Sequence, residues 1–68
     1  MPYFMVYCYE DGLADKKKPP EKIEAKDELE AAEIHCGGPL TEGAKLGDLR
    51  AKVHPLDAPD RPKAFRRA

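Results

Sequence analysis

The chain has 68 residues, with 12 Lys/Arg against 13 Asp/Glu, a formal net charge of −1 and two cysteines. Such a length admits one small domain, which buries only about 60% of its unfolded surface, so partner surface is an expected contributor to its stability. Balanced charge excludes a uniformly basic nucleic-acid-coating surface, and two cysteines are too few for a disulfide scaffold and fit a reducing compartment.

Tyr3 to Tyr9 is rich in aromatic and β-branched residues, is apolar on both alternating faces and is bounded by Glu10-Asp11-Gly12. It reads as a central strand. The same opening run has no basic leader and is too short for a signal core or a bilayer span, so a cytoplasmic protein without membrane contact is expected. Gly12 to Glu21 follows with the run Lys16-Lys17-Lys18-Pro19-Pro20, whose like charges and paired prolines disfavour helix and sheet and predict a solvated loop.

From Pro20 to Cys36 there are two readings. A single helix satisfies propensity, with proline tolerated at its start. At 100° per residue, however, Ala25, Leu29, Ala32 and Cys36 share one side while Ile23 and Ile34 fall opposite, so the large apolar groups would not share a core face. A short strand over Lys22 to Ala25 turns Ile23 and Ala25 the same way. Asp27 then caps a helix, Glu30 stands at the capping-box position, and Gly37-Gly38-Pro39 ends it. Ile34 is exposed in either frame.

Leu40 to Gly47 reads as a loop. Beyond it Leu49, Ala51 and Val53 alternate with Arg50, Lys52 and His54, a period-two pattern with one apolar and one basic face that predicts a third strand ending at Pro55. Residues 56–68, with Pro59, Pro62, Asp57 and Asp60, predict an extended, flexible basic tail. Its Arg61, Lys63, Phe65, Arg66 and Arg67 are candidate partner contacts. The domain proper is expected to span residues 1–55.

These elements predict a small α+β domain of ββαβ order, with a three-stranded mixed sheet in the order 2-1-3 and one short helix on one face. Right-handed crossover sets the second and third strands parallel, and the greasiest strand between them runs antiparallel to both. The expected core is Phe4, Val6, Cys8, Ile23, Ala25, Leu49, Ala51 and Val53 beneath Leu29, Ala32 and Cys36. The other face carries Tyr3, Met5, Tyr7 and Tyr9, with Lys22 and Glu24 on one flank and Arg50, Lys52 and His54 on the other. Uncovered apolar surface on so small a domain marks an interaction site.

Two functions follow from that face. The first is self-association, a homodimer or another protein contact made through the aromatic stripe by a non-enzymatic interaction domain of unknown cellular role. The alternative is an RNA or single-stranded DNA binding module, with tyrosines stacking on bases and Arg50 and Lys52 on phosphates, although the RNP aromatic-glycine motif is absent. No cofactor, metal or catalytic residue is expected. Cys8, His35, Cys36 and His54 are zinc-type ligands without zinc-type spacing, and Cys8 with Cys36 reads first as two buried thiols, a disulfide being the geometrically allowed alternative. His35 beside Cys36 makes a poor nucleophile pair, since a helix C-terminus disfavours a thiolate, and it fits better as a last-turn cation. Glu28, Glu30 and Glu33 read as surface helix charges, and Lys16 to Lys18 lack the glycines of a phosphate loop.

Overall fold

A computed structural model describes residues 2–10, 12–45 and 47–68. The chain runs β1 (Tyr3–Glu10), β2 (Leu13–Ala14), β3 (Glu21–Glu24), α1 (Glu28–Cys36), β4 (Leu40–Glu42), β5 (Leu49–Pro55) and β6 (Lys63–Arg67). The Pro20–Cys36 stretch is thus a strand followed by a helix. Its joint is Ala25, fully buried, whose N–H donates to Pro2 O at 3.1 Å.

All strands form one six-stranded sheet in the order β2-β1-β5-β6-β4, with β3 pairing β1 as well. Every pairing is antiparallel. This corrects the expected three-stranded mixed sheet. β1 does lie between β3 and β5, but β2 pairs with β1 from within the expected Gly12 to Glu21 loop, and the sheet continues past β5 through β6 and β4, where a tail and a loop are expected.

The expectation of an extended tail beyond residue 55 is likewise corrected, because Lys63–Arg67 is a strand paired with both β5 and β4. The physical reason is where the prolines stand. Pro55, Pro59 and Pro62 all precede Lys63, so every residue of β6 keeps its ladder donor. Two successive turns, closed by Ala58 N–H to Pro55 O and Arg61 N–H to Ala58 O at 3.1 Å each, bring the chain back along β5.

The core is Phe4, Val6, Cys8, Ala25, Ala31, Ala32, Leu40, Ala51, Val53 and Phe65, with Ile23 and Cys36 packed against it. Two alanines form the buried face of α1, which lets the helix lie close on the sheet. Leu29, expected inside, is 38% exposed, and Ile34 is 58% exposed. Leu49 is only half-buried, because the β5–β6 register shifts between Leu49 and Ala51 and breaks the alternation there.

Asp27 caps α1 from an extended conformation (φ −155°, ψ 176°), and its Oδ1 accepts from Glu30 N–H at 2.8 Å. Glu30 Oε1 reaches back to Lys26 N–H at 3.1 Å, one residue beyond the usual capping-box donor. Asp27→Ala is expected to lower stability by about 1 kcal/mol in urea denaturation. Asp27→Asn retains the acceptor and should lose much less, so equal losses in the two variants would argue against capping. At the other end Gly37 adopts φ 87°, a conformation that favours glycine, and its N–H donates to Glu33 O at 3.0 Å.

Cys8 and Cys36 form a disulfide, with a Cα–Cα distance of 5.5 Å, that ties β1 to the last residue of α1. The reading of two separate buried thiols is therefore corrected. Placing α1 over β1 brings the two positions within bridging distance, which spacing in the chain does not reveal. No helix among the described residues is long and apolar enough to cross a membrane.

Candidate functional site

Strand alternation sends Phe4, Val6 and Cys8 of β1 toward α1 and leaves Tyr3, Met5, Tyr7 and Tyr9 on the opposite face. Register then builds rows across that face. Met5 stands between Lys22 of β3 and His54 of β5, Tyr3 beside Glu24, and Tyr7 beside Lys52, which in turn faces Ala64 of β6. Arg66, registered with Leu49 and Thr41, extends the face to β6, so a residue assigned to a flexible tail is held within the sheet.

The rings on this face are positioned by polar neighbours. Lys22 Nζ lies 4.9 Å from the Tyr3 ring centroid, a cation–π distance. Tyr7 and His54 have ring centroids 5.7 Å apart at 37°. His54 Nδ1 donates to Pro55 O at 2.8 Å, which in the neutral ring leaves Nε2 to accept from the Tyr7 hydroxyl at 3.3 Å. Tyr3 is 46% exposed, and Met5, Tyr7, Tyr9 and His54 are half-buried.

Charge is unevenly shared between the two sides of the sheet. Lys22, Lys52 and Arg66 share the open face with Glu24, while Glu21, Glu28, Glu30, Glu33 and Glu42 lie with Lys63 and Arg67 on the side that carries α1.

Arg50 sits at the register shift of β5 and lines a cleft at the end of the sheet. That cleft, with a volume of about 530 Å³, is bounded by Cys8, Tyr9, Lys18, Cys36 and Arg67 among others. Arg50 and Arg67 thus line one concave end of the molecule, together with Glu10 and Asp15.

The remaining tail candidates are used within the fold or left on its surface. Phe65, 2% exposed, belongs to the core, which corrects its reading as a partner contact. Lys63 Nζ lies 3.9 Å from Glu28 Oε2 and from Glu42 Oε1, loose half-exposed ion pairs of small energetic weight. Arg66 Nη1 donates to Gly43 O at 2.8 Å, and Arg61 is exposed in the turn before β6.

The other polar candidates have structural work. His35 Nε2 donates to Pro19 O at 2.8 Å and its Nδ1 lies 3.3 Å from Glu21 Oε2, so the ring fastens the Lys/Pro loop and β3 to the end of α1. Glu33 Oε2 accepts from Leu40 N–H at 2.9 Å and steers the chain into β4. Among the described residues no group of three or more His, Cys, Asp or Glu is placed to hold a metal ion. No family model matches the chain, and neither a curated protein nor a solved structure matches it significantly.

Proposed function

We propose that this domain is a binding module for single-stranded nucleic acid, held on the open face of the sheet. The observation that carries this reading is the tyrosine stripe Tyr3, Tyr7 and Tyr9 interleaved with Lys22, Lys52 and Arg66 on a face that α1 does not cover. Aromatic faces accept any base by stacking, and flanking cations neutralise the backbone. The cleft next to Tyr9 is lined by Lys18, Arg50 and Arg67 but also by Glu10 and Asp15, so the stripe itself carries the reading.

Self-association through the same face is the second reading, favoured by the apolar surface of Tyr3, Met5, Tyr7 and Tyr9. Its support in the sequence is the small size of the domain and this uncovered apolar surface. Phe65 and the disulfide strengthen the core from within the chain, which weakens the argument from size. A sheet-to-sheet dimer would also have to bury Lys22, Lys52 and Arg66 from both copies, at a desolvation cost a nucleic acid would offset.

Titration of labelled RNA and single-stranded DNA at two salt concentrations tests the proposal. With Lys22, Lys52 and Arg66 on phosphates, log affinity should fall against log salt with a slope of about −2, or roughly twentyfold weaker binding at 200 mM than at 50 mM. Tyr7→Ala is expected to weaken binding by roughly 5- to 150-fold, the loss of one stacked base. Absence of binding, or salt-independent binding, would overturn the reading. Sedimentation at several concentrations then distinguishes a free monomer from a dimer that has already covered its tyrosines.

A further inference from the structure

The two halves of the disulfide are unequally placed. Cys8 is 5% exposed, while Cys36, the last residue of α1, is only partly buried, and both line the cleft at the end of the sheet. Gly37 follows Cys36, and a Cβ built on it would meet nothing within 4 Å, so the backbone just past Cys36 borders open space. Lys18 Nζ donates to Cys36 O at 3.4 Å and keeps a cation at the rim, with Arg50 and Arg67 also lining the cleft. Glu10 and Asp15 line the cleft too and Cys36 ends a helix, both of which oppose a thiolate, so exposure and not charge singles out Cys36.

We propose that Cys8–Cys36 is a thiol–disulfide exchange site, attacked at Cys36 by small thiols that enter the cleft while the domain stays folded. A thiolate RS⁻ forms a bond to Cys36 Sγ, the Cys36–Cys8 bond breaks, and Cys8 leaves as a thiolate that takes a proton from solvent. A second RS⁻ attacks the mixed disulfide, releases RSSR and leaves Cys36 as a thiolate, which is protonated in turn. Two thiols are oxidised to one disulfide and the protein disulfide is reduced to two thiols. In the reverse direction Cys36 is the attacking thiol and the less accessible Cys8 resolves the mixed disulfide. The proposal does not depend on what the sheet face binds.

Reduced glutathione is the probe, with acid quenching, alkylation and intact-mass analysis of the full chain. Exchange in the folded state predicts a reduction rate that is flat in urea up to the unfolding transition, after correction for the effect of urea on a model disulfide. A bond reached only by unfolding would be reduced faster in proportion to the unfolded population, by at least about fivefold per molar urea, and that result would overturn the proposal. With oxidised glutathione, the Cys36 thiol of Cys8→Ser should form a mixed disulfide at least about tenfold faster than the Cys8 thiol of Cys36→Ser. Equal rates, or faster reaction at Cys8, would overturn the assignment of Cys36 as the entry point. If either variant fails to fold, the urea dependence of the wild type still decides.

Discussion

Phe65→Ala is expected to lower the stability of the domain by about 3–5 kcal/mol, the range for removing a buried aromatic ring without refilling its space. Phe65 is 2% exposed and is registered with Ala51, itself fully buried, so the large side chain fills space that its small neighbour leaves. A domain of this length carries a total stability of about 3–10 kcal/mol, which makes the variant marginal at 25 °C. Urea denaturation followed by circular dichroism measures it. Phe65→Leu retains most of the volume and should recover more than half of the loss, whereas Arg61→Ala, at an exposed turn, should stay within about 0.5 kcal/mol of the wild type. A loss below about 1 kcal/mol for Phe65→Ala would sink the assignment of β6 to the core and return residues 56–68 to a tail.

The second large effect is expected from the Cys8→Ala/Cys36→Ala double variant. The bridge closes a loop with a sequence separation of 28, and chain entropy for a loop of that size corresponds to about 3–4 kcal/mol of stability. Cys8 is also buried in the core, so losing its sulfur adds a small packing term in the same direction. The comparison is between the double variant and the oxidised wild type in urea, with m-values reported, because an uncrosslinked denatured state is more expanded. A difference below about 1 kcal/mol would mean that the bond constrains little in the unfolded chain. The expected size also bears on where the protein works: a reducing cytoplasm would withhold this increment, whereas an oxidising compartment would preserve it.

Legibility of the candidate site followed the range of the interactions that build it. Tyr3, Met5, Tyr7 and Tyr9 were visible as one face because alternation is a property of a single strand, and Lys52 and His54 were visible for the same reason in β5. Arg50 stands at a register shift set by β6, a partner that the local pattern does not contain. Arg66 was assigned to a tail although it completes the basic flank. Nothing in Lys63–Arg67 alone distinguishes a mobile segment from an edge-seeking strand until β4 and β5 are in place on either side.

By itself the sequence determined those elements whose physics is local. They are the alternating strand over Tyr3 to Tyr9, the alternation from Ala51 to Val53, the turn inward at Ile23, and the helix from its Asp27 cap to its glycine stop. Each is decided by residues two to four positions apart, close enough for sterics, capping and periodicity to act before the chain collapses. Only the tertiary structure decided β4 and β6, three and five residues long, which show too little period of their own and exist as strands because β6 pairs with β5 and β4 pairs with β6. The union of Cys8 with Cys36 was decided in the same way, since two positions 28 residues apart meet only once α1 has settled over β1. Backbone groups in such short segments gain their hydrogen bonds from distant partners, and their conformation is a consequence of the packing that supplies those partners.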